Sequence, residues 1–170
     1  MKAYIGVGSN VNPMPNIKKA FAQINKLAEI VDTSTFYKTK PLRGRKQSDY
    51  INGVWAIETD IEPIGLKRRL REIENGLGRQ RLEDKYASRP IDLDVLLCGN
   101  VVIHDEQIDL PDPHICERPF LAIPLNEIDP NIVLPESGAK LSQIVETMNR
   151  NDMKIAKSLS IYLRRSLKRE

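Results

Sequence analysis

Apolar residues alternate with polar ones along some stretches of the chain and recur every third or fourth position along others, and these two rhythms divide it into elements. Residues 3–7 read as a first strand that stops at Gly8-Ser9-Asn10. From Pro15 or Asn16 onward, Ile17, Phe21, Ile24 and Leu27 keep helical spacing. Residues 30–37, rich in Val, Thr, Phe and Tyr, predict a second strand. Residues 50–58 predict a third, with Tyr50, Asn52, Val54 and Ala56 on one face. A second helix starts near Pro63, carries Leu66, Leu70, Ile73 and Leu77 in one stripe, and should end at Gly76 and Gly78. Residues 91–98 form a fourth strand, closed by Gly99-Asn100.

The order β-α-β-β-α-β predicts an α+β fold of the ferredoxin-like arrangement, an antiparallel sheet with helices packed on one face. C-terminal additions follow: a hairpin over residues 101–110 and a helix over 141–148. Residues 153–170 fit either a basic helix or an edge strand. With 170 residues and neither repeat nor low-complexity linker, we expect a single domain over 1–150 and a basic extension over 151–170.

Composition narrows the setting. At 41% apolar and 29% charged the chain is an ordinary globular sequence, which disfavours disorder, collagen and coiled coil. The apolar run Val95-Leu96-Leu97-Cys98 is four residues long, against the ~20 of a membrane span, and no apolar leader follows Met1. Cys98 and Cys116 make neither a disulfide framework nor a zinc-ligand spacing. These features predict a cytoplasmic protein with no membrane partner. The net charge of +3 is carried by the end of the chain: residues 151–170 hold six Lys/Arg against two Asp/Glu, leaving 1–150 at −1. A basic balance located there does not argue for nucleic-acid binding by the domain. Within the body, Lys38, Lys40, Arg43, Arg45 and Lys46 form an acid-free run, and residues 67–89 hold eight basic side chains against four acidic ones. Two basic loops on a near-neutral body suit a compact polyanion such as a nucleotide.

Arg89-Pro90-Ile91-Asp92-Leu93-Asp94 is the sharpest chemical feature. Side chains two apart on a strand share a face, so Asp92 and Asp94 set two carboxylates side by side, and hard cations such as Mg²⁺ relieve their repulsion. The alternative, two solvent-facing aspartates at a strand end, runs against the depletion of Asp in strands. Arg79, Arg81 and Arg89 supply forked guanidiniums for phosphate oxygens, and metal with arginines is the composition of a phosphoryl-transfer site. Gly6-Val7-Gly8-Ser9-Asn10 sits where phosphate loops sit but lacks their Lys-Ser/Thr, so a structural turn is its default reading. Tyr50 and Asn52 would offer a ring and an amide on one face for a planar heterocycle, although a core Tyr with a satisfied Asn is the commoner explanation. His104 and His114 fall into no nucleophile arrangement, and Cys98 reads as core.

Several segments together resemble the 6-hydroxymethyl-7,8-dihydropterin pyrophosphokinases of folate biosynthesis. They are Gly8-Ser9-Asn10, Phe36-Tyr37-Lys38-Thr39, Pro41-Leu42, Asp49-Tyr50-Ile51-Asn52, Glu74 with Gly78-Arg79, Arg89-Pro90-Ile91-Asp92-Leu93-Asp94 and Arg118-Pro119-Phe120. The resemblance implies an ATP-dependent transferase that moves diphosphate as one unit onto the pterin's hydroxymethyl oxygen and releases AMP. It implies two Mg²⁺ ions on Asp92 and Asp94, charge stabilisation by Arg79 and Arg89, and nucleotide contacts from Glu74, Arg81 and Arg118. Tyr50 and Phe120 would sandwich the pterin, Asn52 with Thr39 and Leu42 would read its pyrimidine edge, and loops 40–48 and 79–90 would close over the substrates. The partners implied are ATP and the pterin, with no nucleic acid and a monomeric chain. The sequence departs from the family pattern at Asp112, where a His is usual, at Tyr86, where many members have Trp, and at Gln107, where Arg is frequent. Two other readings stay open: a two-metal nucleotidyltransferase, which would release pyrophosphate, and a ferredoxin-like nucleic-acid-binding module. The second needs aromatics exposed on central strands, and the chain has nine aromatics in all without an RNA-binding run.

Overall fold

Alternation along the first strand sorts the molecule into two cores. A computed structural model describes residues 1–80, 82–84 and 86–167. Its elements are β1 (Lys2–Ser9), α1 (Pro13–Leu27), β2 (Glu29–Thr33), β3 (Tyr37–Thr39), β4 (Tyr50–Glu58), α2 (Pro63–Gly76), β5 (Asp92–Cys98), β6 (Ile103–His104), β7 (Asp109–Leu110), α3 (Pro119–Ile128), α4 (Leu141–Glu146), β8 (Lys154–Ile155) and α5 (Lys157–Leu167). The main sheet is antiparallel and runs β5-β1-β4-β3-β8, with β2 also on β4. Among the described residues no helix is long and apolar enough to cross a membrane.

Ala3, Ile5 and Val7 of β1 point to one face, where they meet Ile17, Phe21 and Ile24 of α1, Leu66 and Leu70 of α2, and Leu159 and Leu163 of α5. Tyr4 points to the other, with Val54 and Ala56 of β4, Leu96 of β5, Ala122 and Leu125 of α3 and Leu141 and Val145 of α4. The expected ferredoxin-like order is present with α1 and α2 on one face, and the C-terminal helices α3 and α4 cover the other. The reason lies in the strands: β4 and β5 are apolar on both sides, so each side needs a cover. A register shift between Tyr4 and Ile5 against β5 lets the neighbours Leu96 and Leu97 both serve the second core.

The second strand expected over 30–37 is two strands. β2 pairs Trp55–Glu58 of β4 and β3 pairs Tyr50–Asn52, with residues 34–36 stepping out of the ladder between them. There Ser34 Oγ takes the Val54 N–H at 2.9 Å, and the Phe36 ring lies over Gly53. The segment after residue 150 is both of the things its composition allowed: β8 is an edge strand on β3, and α5 is a helix packed on the first core. Helix α3, for which the periodicity gave no expectation, opens with Pro119 at its first turn and carries Pro124 inside.

Candidate active site

β1 delivers Gly6 and Gly8, β4 delivers Tyr50 and Asn52, and β5 delivers Asp92 and Asp94 to one end of the sheet, on the face that α3 closes. Together with loops 40–48 and 79–90 they bound a cavity of about 390 Å³. The Ser-Asn turn after β1 is the structural turn expected, and it ties the site's segments together. Ser9 Oγ donates to Pro90 O at 2.6 Å, Asn10 Nδ2 donates to Ser48 O and Ser88 Oγ at 3.2 Å each, and Asn10 Oδ1 accepts from Arg89 N at 2.8 Å. One asparagine therefore holds the bases of both loops.

Of the residues expected from sequence, Thr39, Leu42, Tyr50 and Asn52 line the cavity on the β4 side and Arg118 and Phe120 on the α3 side. Arg89, Asp92 and Asp94 line it along β5. Asn52 Nδ2 donates to Thr39 Oγ1 at 2.7 Å, which fixes the orientation of its amide. Its Oδ1 stands 2.7 Å from where a Cβ on residue 8 would be, so only glycine fits beneath it. Burial pushes the Tyr50 hydroxyl above its ordinary pKa, against the pull of Arg89.

Glu74 and Arg79 stand behind this wall. Glu74 is 1% exposed, accepts the Leu93 N–H at 2.8 Å and pairs with Arg79, whose same nitrogen also reaches Asp92 Oδ1 and, at 3.3 Å, Ile91 O. Glu74, expected to contact the nucleotide, is not among the residues that line the cavity and pairs with Arg79 behind them. Burial raises its pKa to about 7 although Arg79 opposes the shift. Arg81 lies outside the described residues.

Asp92 accepts from Arg79 on one oxygen and from Arg89 at 2.8 Å on the other, and Asp94 takes Lys67 of α2 at 3.0 Å. Lys67 is a site residue that the sequence reading missed. The signal available was its place one residue after Leu66 on the helix that packs on β5. A third carboxylate, Asp112, lines the cavity, and its Oδ1 caps the turn at Pro113–Cys116 by accepting the His114 N–H at 2.8 Å. Burial raises its pKa, and Asp94 adds to the rise. The donor set suits a hard divalent ion. Asp92 and Asp94 offer oxygens to the cavity from one strand face, and among the described residues no group of three His, Cys, Asp or Glu encloses a metal. An ion held there would draw the rest of its shell from water and phosphate, as Mg²⁺ does.

The two loops are joined to one another across the cavity mouth. Arg45 forks onto Asp84, with Nη2 3.0 Å from Oδ1, while the Arg43 guanidinium lies 4.5 Å over the Tyr86 ring. Gln47 Nε2 donates to Tyr86 O at 3.0 Å.

A family model described as 7,8-dihydro-6-hydroxymethylpterin-pyrophosphokinase matches residues 4–130. The chain is 43% identical over 138 residues to 2-amino-4-hydroxy-6-hydroxymethyldihydropteridine pyrophosphokinase of Haemophilus influenzae, covering 79% of this chain and 86% of the relative. It is 34% identical over 150 residues to the Synechocystis protein of the same name, covering 86% of this chain and 76% of that one. A Plasmodium falciparum HPPK-DHPS crystal structure with SDX-DHP superposes with TM-score 0.67 at 12% identity, covering 91% of this chain, which spans about half (47%) of that longer protein; it bears on the fold alone. Together with the paired carboxylates, the arginines behind them and the ring-and-amide wall opposite, these matches establish that the chain belongs to the 7,8-dihydro-6-hydroxymethylpterin-pyrophosphokinase family.

Proposed function

We propose that the cavity performs the family's reaction with the residues placed in it here. The enzyme is an ATP-dependent diphosphotransferase of folate biosynthesis: the hydroxymethyl oxygen of 6-hydroxymethyl-7,8-dihydropterin attacks the β-phosphorus of ATP, the bond from that phosphorus to the α,β-bridging oxygen breaks, and AMP leaves. Asp92 and Asp94 hold two Mg²⁺ ions, whose charge offsets that of the triphosphate when bound. Tyr50 and Phe120 take the two faces of the pterin, and Asn52, its amide set by Thr39, reads the pyrimidine edge beside the backbone of Thr39 and Leu42. Arg89 and Arg118 reach the phosphates from the cavity wall. Arg79, positioned by Glu74, supports Asp92 and adds positive charge where negative charge grows in transfer. Arg81 is assigned to the same phosphate contacts by the family resemblance alone. The chain acts as a cytoplasmic monomer on small molecules.

The observation that supports this reading most directly is that both aspartates and the Tyr50–Asn52 pair face one cavity. Incubation with ATP, MgCl₂ and the hydroxymethyl pterin should yield AMP and a diphosphorylated pterin. Pyrophosphate in place of AMP would point to attack at the α-phosphorus and overturn the reading.

A further inference from the structure

The last helix lies beyond the residues that the family model matches, yet it is bonded to Thr35 and Phe36, just before the strand that enters the substrate cavity. Where residues 34–36 step out of the sheet, both backbone groups of Phe36 turn to the C-terminal segment. Its N–H donates to Ser160 Oγ at 2.9 Å, and its carbonyl accepts from Ala156 N at 2.8 Å. Ser160 Oγ in turn donates to Ala156 O at 3.0 Å, so three hydrogen bonds close a small circuit across 124 residues of sequence. Ser160 is 3% exposed, between the core residues Leu159 and Leu163. A second tie, Arg164 Nη2 to Thr35 Oγ1 at 2.7 Å, holds the adjacent residue.

We propose that Ser160 is a positioning residue for the pterin side of the site, acting through Phe36. The Phe36 ring sits against Gly53, where a Cβ would meet three ring carbons at 2.5–2.6 Å, so it locks into β4 as a peg into a notch. The next residues form β3, with Tyr37 opposite Asn52 and Thr39 opposite Tyr50. Their register sets the 2.7 Å bond from Asn52 to Thr39 and with it the amide that faces the ligand. An apolar cover would need only Leu159 and Leu163. The buried hydroxyl between them has a different consequence, because without it a sequestered N–H loses its acceptor just upstream of β3. The inference rests on the pterin reading of this wall, and the test separates the two.

The experiment compares full-length wild type with Ser160→Ala, Ser160→Thr and Leu163→Ala. It measures melting temperature, the separate affinities for 6-hydroxymethylpterin and for a non-hydrolysable ATP analogue with Mg²⁺, and amide exchange in the ligand-free protein. Ser160→Ala should weaken pterin binding roughly five- to tenfold, the scale of one hydrogen bond's net contribution, and leave the analogue's affinity within about twofold. Exchange at Tyr37 and Thr39 should accelerate beyond that of Ile5 and Val95. Ser160→Thr, which keeps the hydroxyl, should restore pterin affinity, while Leu163→Ala should lower the melting temperature without a pterin-specific loss. Ser160→Ala that changes both affinities alike, in step with its melting temperature, overturns the proposal. So does exchange in β3 that stays level with the core. Wild type that binds the analogue but not pterin removes the pterin reading, and the exchange data still decide whether Ser160 sets β3.

Discussion

Replacing Gly53 by Ala tests the packing on which the pterin wall stands. The new methyl group would lie 2.5–2.6 Å from three carbons of the Phe36 ring, where ordinary contact needs more than 3.4 Å, so ring or strand must move by about 1 Å. There is little room to move into. Phe36 is 0% exposed, its ring centroid is 5.9 Å from that of Trp55, and the Trp55 centroid is 5.4 Å from that of Phe21. Overpacking of this kind costs about 1–3 kcal/mol, and the stiffening of the unfolded chain by Gly→Ala returns about 0.4–1 kcal/mol. The net loss should be about 2 kcal/mol, or roughly 4–8 °C in melting temperature for a chain of this size. Urea denaturation followed by Trp55 fluorescence reads the stability, and pterin titration reads the site. Phe36→Leu alone opens a void and also destabilises, but combined with Gly53→Ala it should cost clearly less than the sum, since the smaller side chain makes space for the methyl. Gly53→Ala within ~0.5 kcal/mol of wild type, or strict additivity with Phe36→Leu, would refute the reasoning.

Four further substitutions address the chemistry. Arg79→Ala should chiefly lower kcat, whereas Tyr50→Ala should chiefly weaken pterin affinity by up to about tenfold, the loss of ~0.5–1.5 kcal/mol of stacking; single-turnover kinetics with separate binding titrations distinguishes them, and an Arg79 effect confined to ground-state affinity contradicts its role. Glu74, held at a pKa of about 7 against an ordinary 4.5, keeps a proton in the folded chain that the unfolded chain has lost, so the stability from that proton is full below about pH 4.5 and disappears as pH rises through about 7. Glu74→Gln, which retains an acceptor for Leu93 N–H, should therefore gain on wild type by up to ~3 kcal/mol between pH 5 and pH 8 in denaturant midpoints, and parallel pH curves would sink the assignment. Asp112→Asn keeps the cap on His114 N–H and removes a negative charge from the cavity wall; affinity for an ATP analogue should rise roughly two- to fivefold, and a fall that deepens at low Mg²⁺ would mean that Asp112 helps to hold the metal.

The elements legible in the sequence are those whose burial repeats locally. β4 runs over Tyr50–Glu58 as its alternation indicates, and Asp92 and Asp94 share the face that a period of two assigns them. What could not be read depends on partners far along the chain. At the break over residues 34–36 the Phe36 N–H finds its acceptor in Ser160, 124 positions along the chain, and no local propensity signals that. Lys67 looks like any solvated lysine on a helix until α2 is laid against β5 and its ammonium meets Asp94. The depth of Glu74 is hidden for the same reason. Helix α3 was obscured by Pro119 and Pro124, residues that punctuate most helices but that a first turn and a buried face here accommodate.

The site is a set of charge pairs, and this bears on why its cations are arranged as they are. Two carboxylates two residues apart on one strand repel each other, and three side chains hold that charge: Arg79 and Arg89 on Asp92, Lys67 on Asp94. Asp92 is enclosed most, with a side chain 26% exposed, and it has the two guanidiniums; Asp94, at 44%, has the single flexible ammonium. The stronger pairing thus sits where water screens least, which is where an unpaired carboxylate would cost most. Arg89 is on the cavity wall, and under the proposed function a divalent ion compensating the aspartates would leave its guanidinium to the phosphates. Arg79 has a different fate. Glu74, the Ile91 carbonyl and Asp92 all converge on one of its nitrogens, so it stays behind Asp92 and presents its charge from a fixed distance. Under the proposed function the site would therefore combine one arginine on the cavity wall with another held in place by a buried carboxylate, and electrostatic catalysis would benefit from the second because its orientation does not have to be found during the reaction.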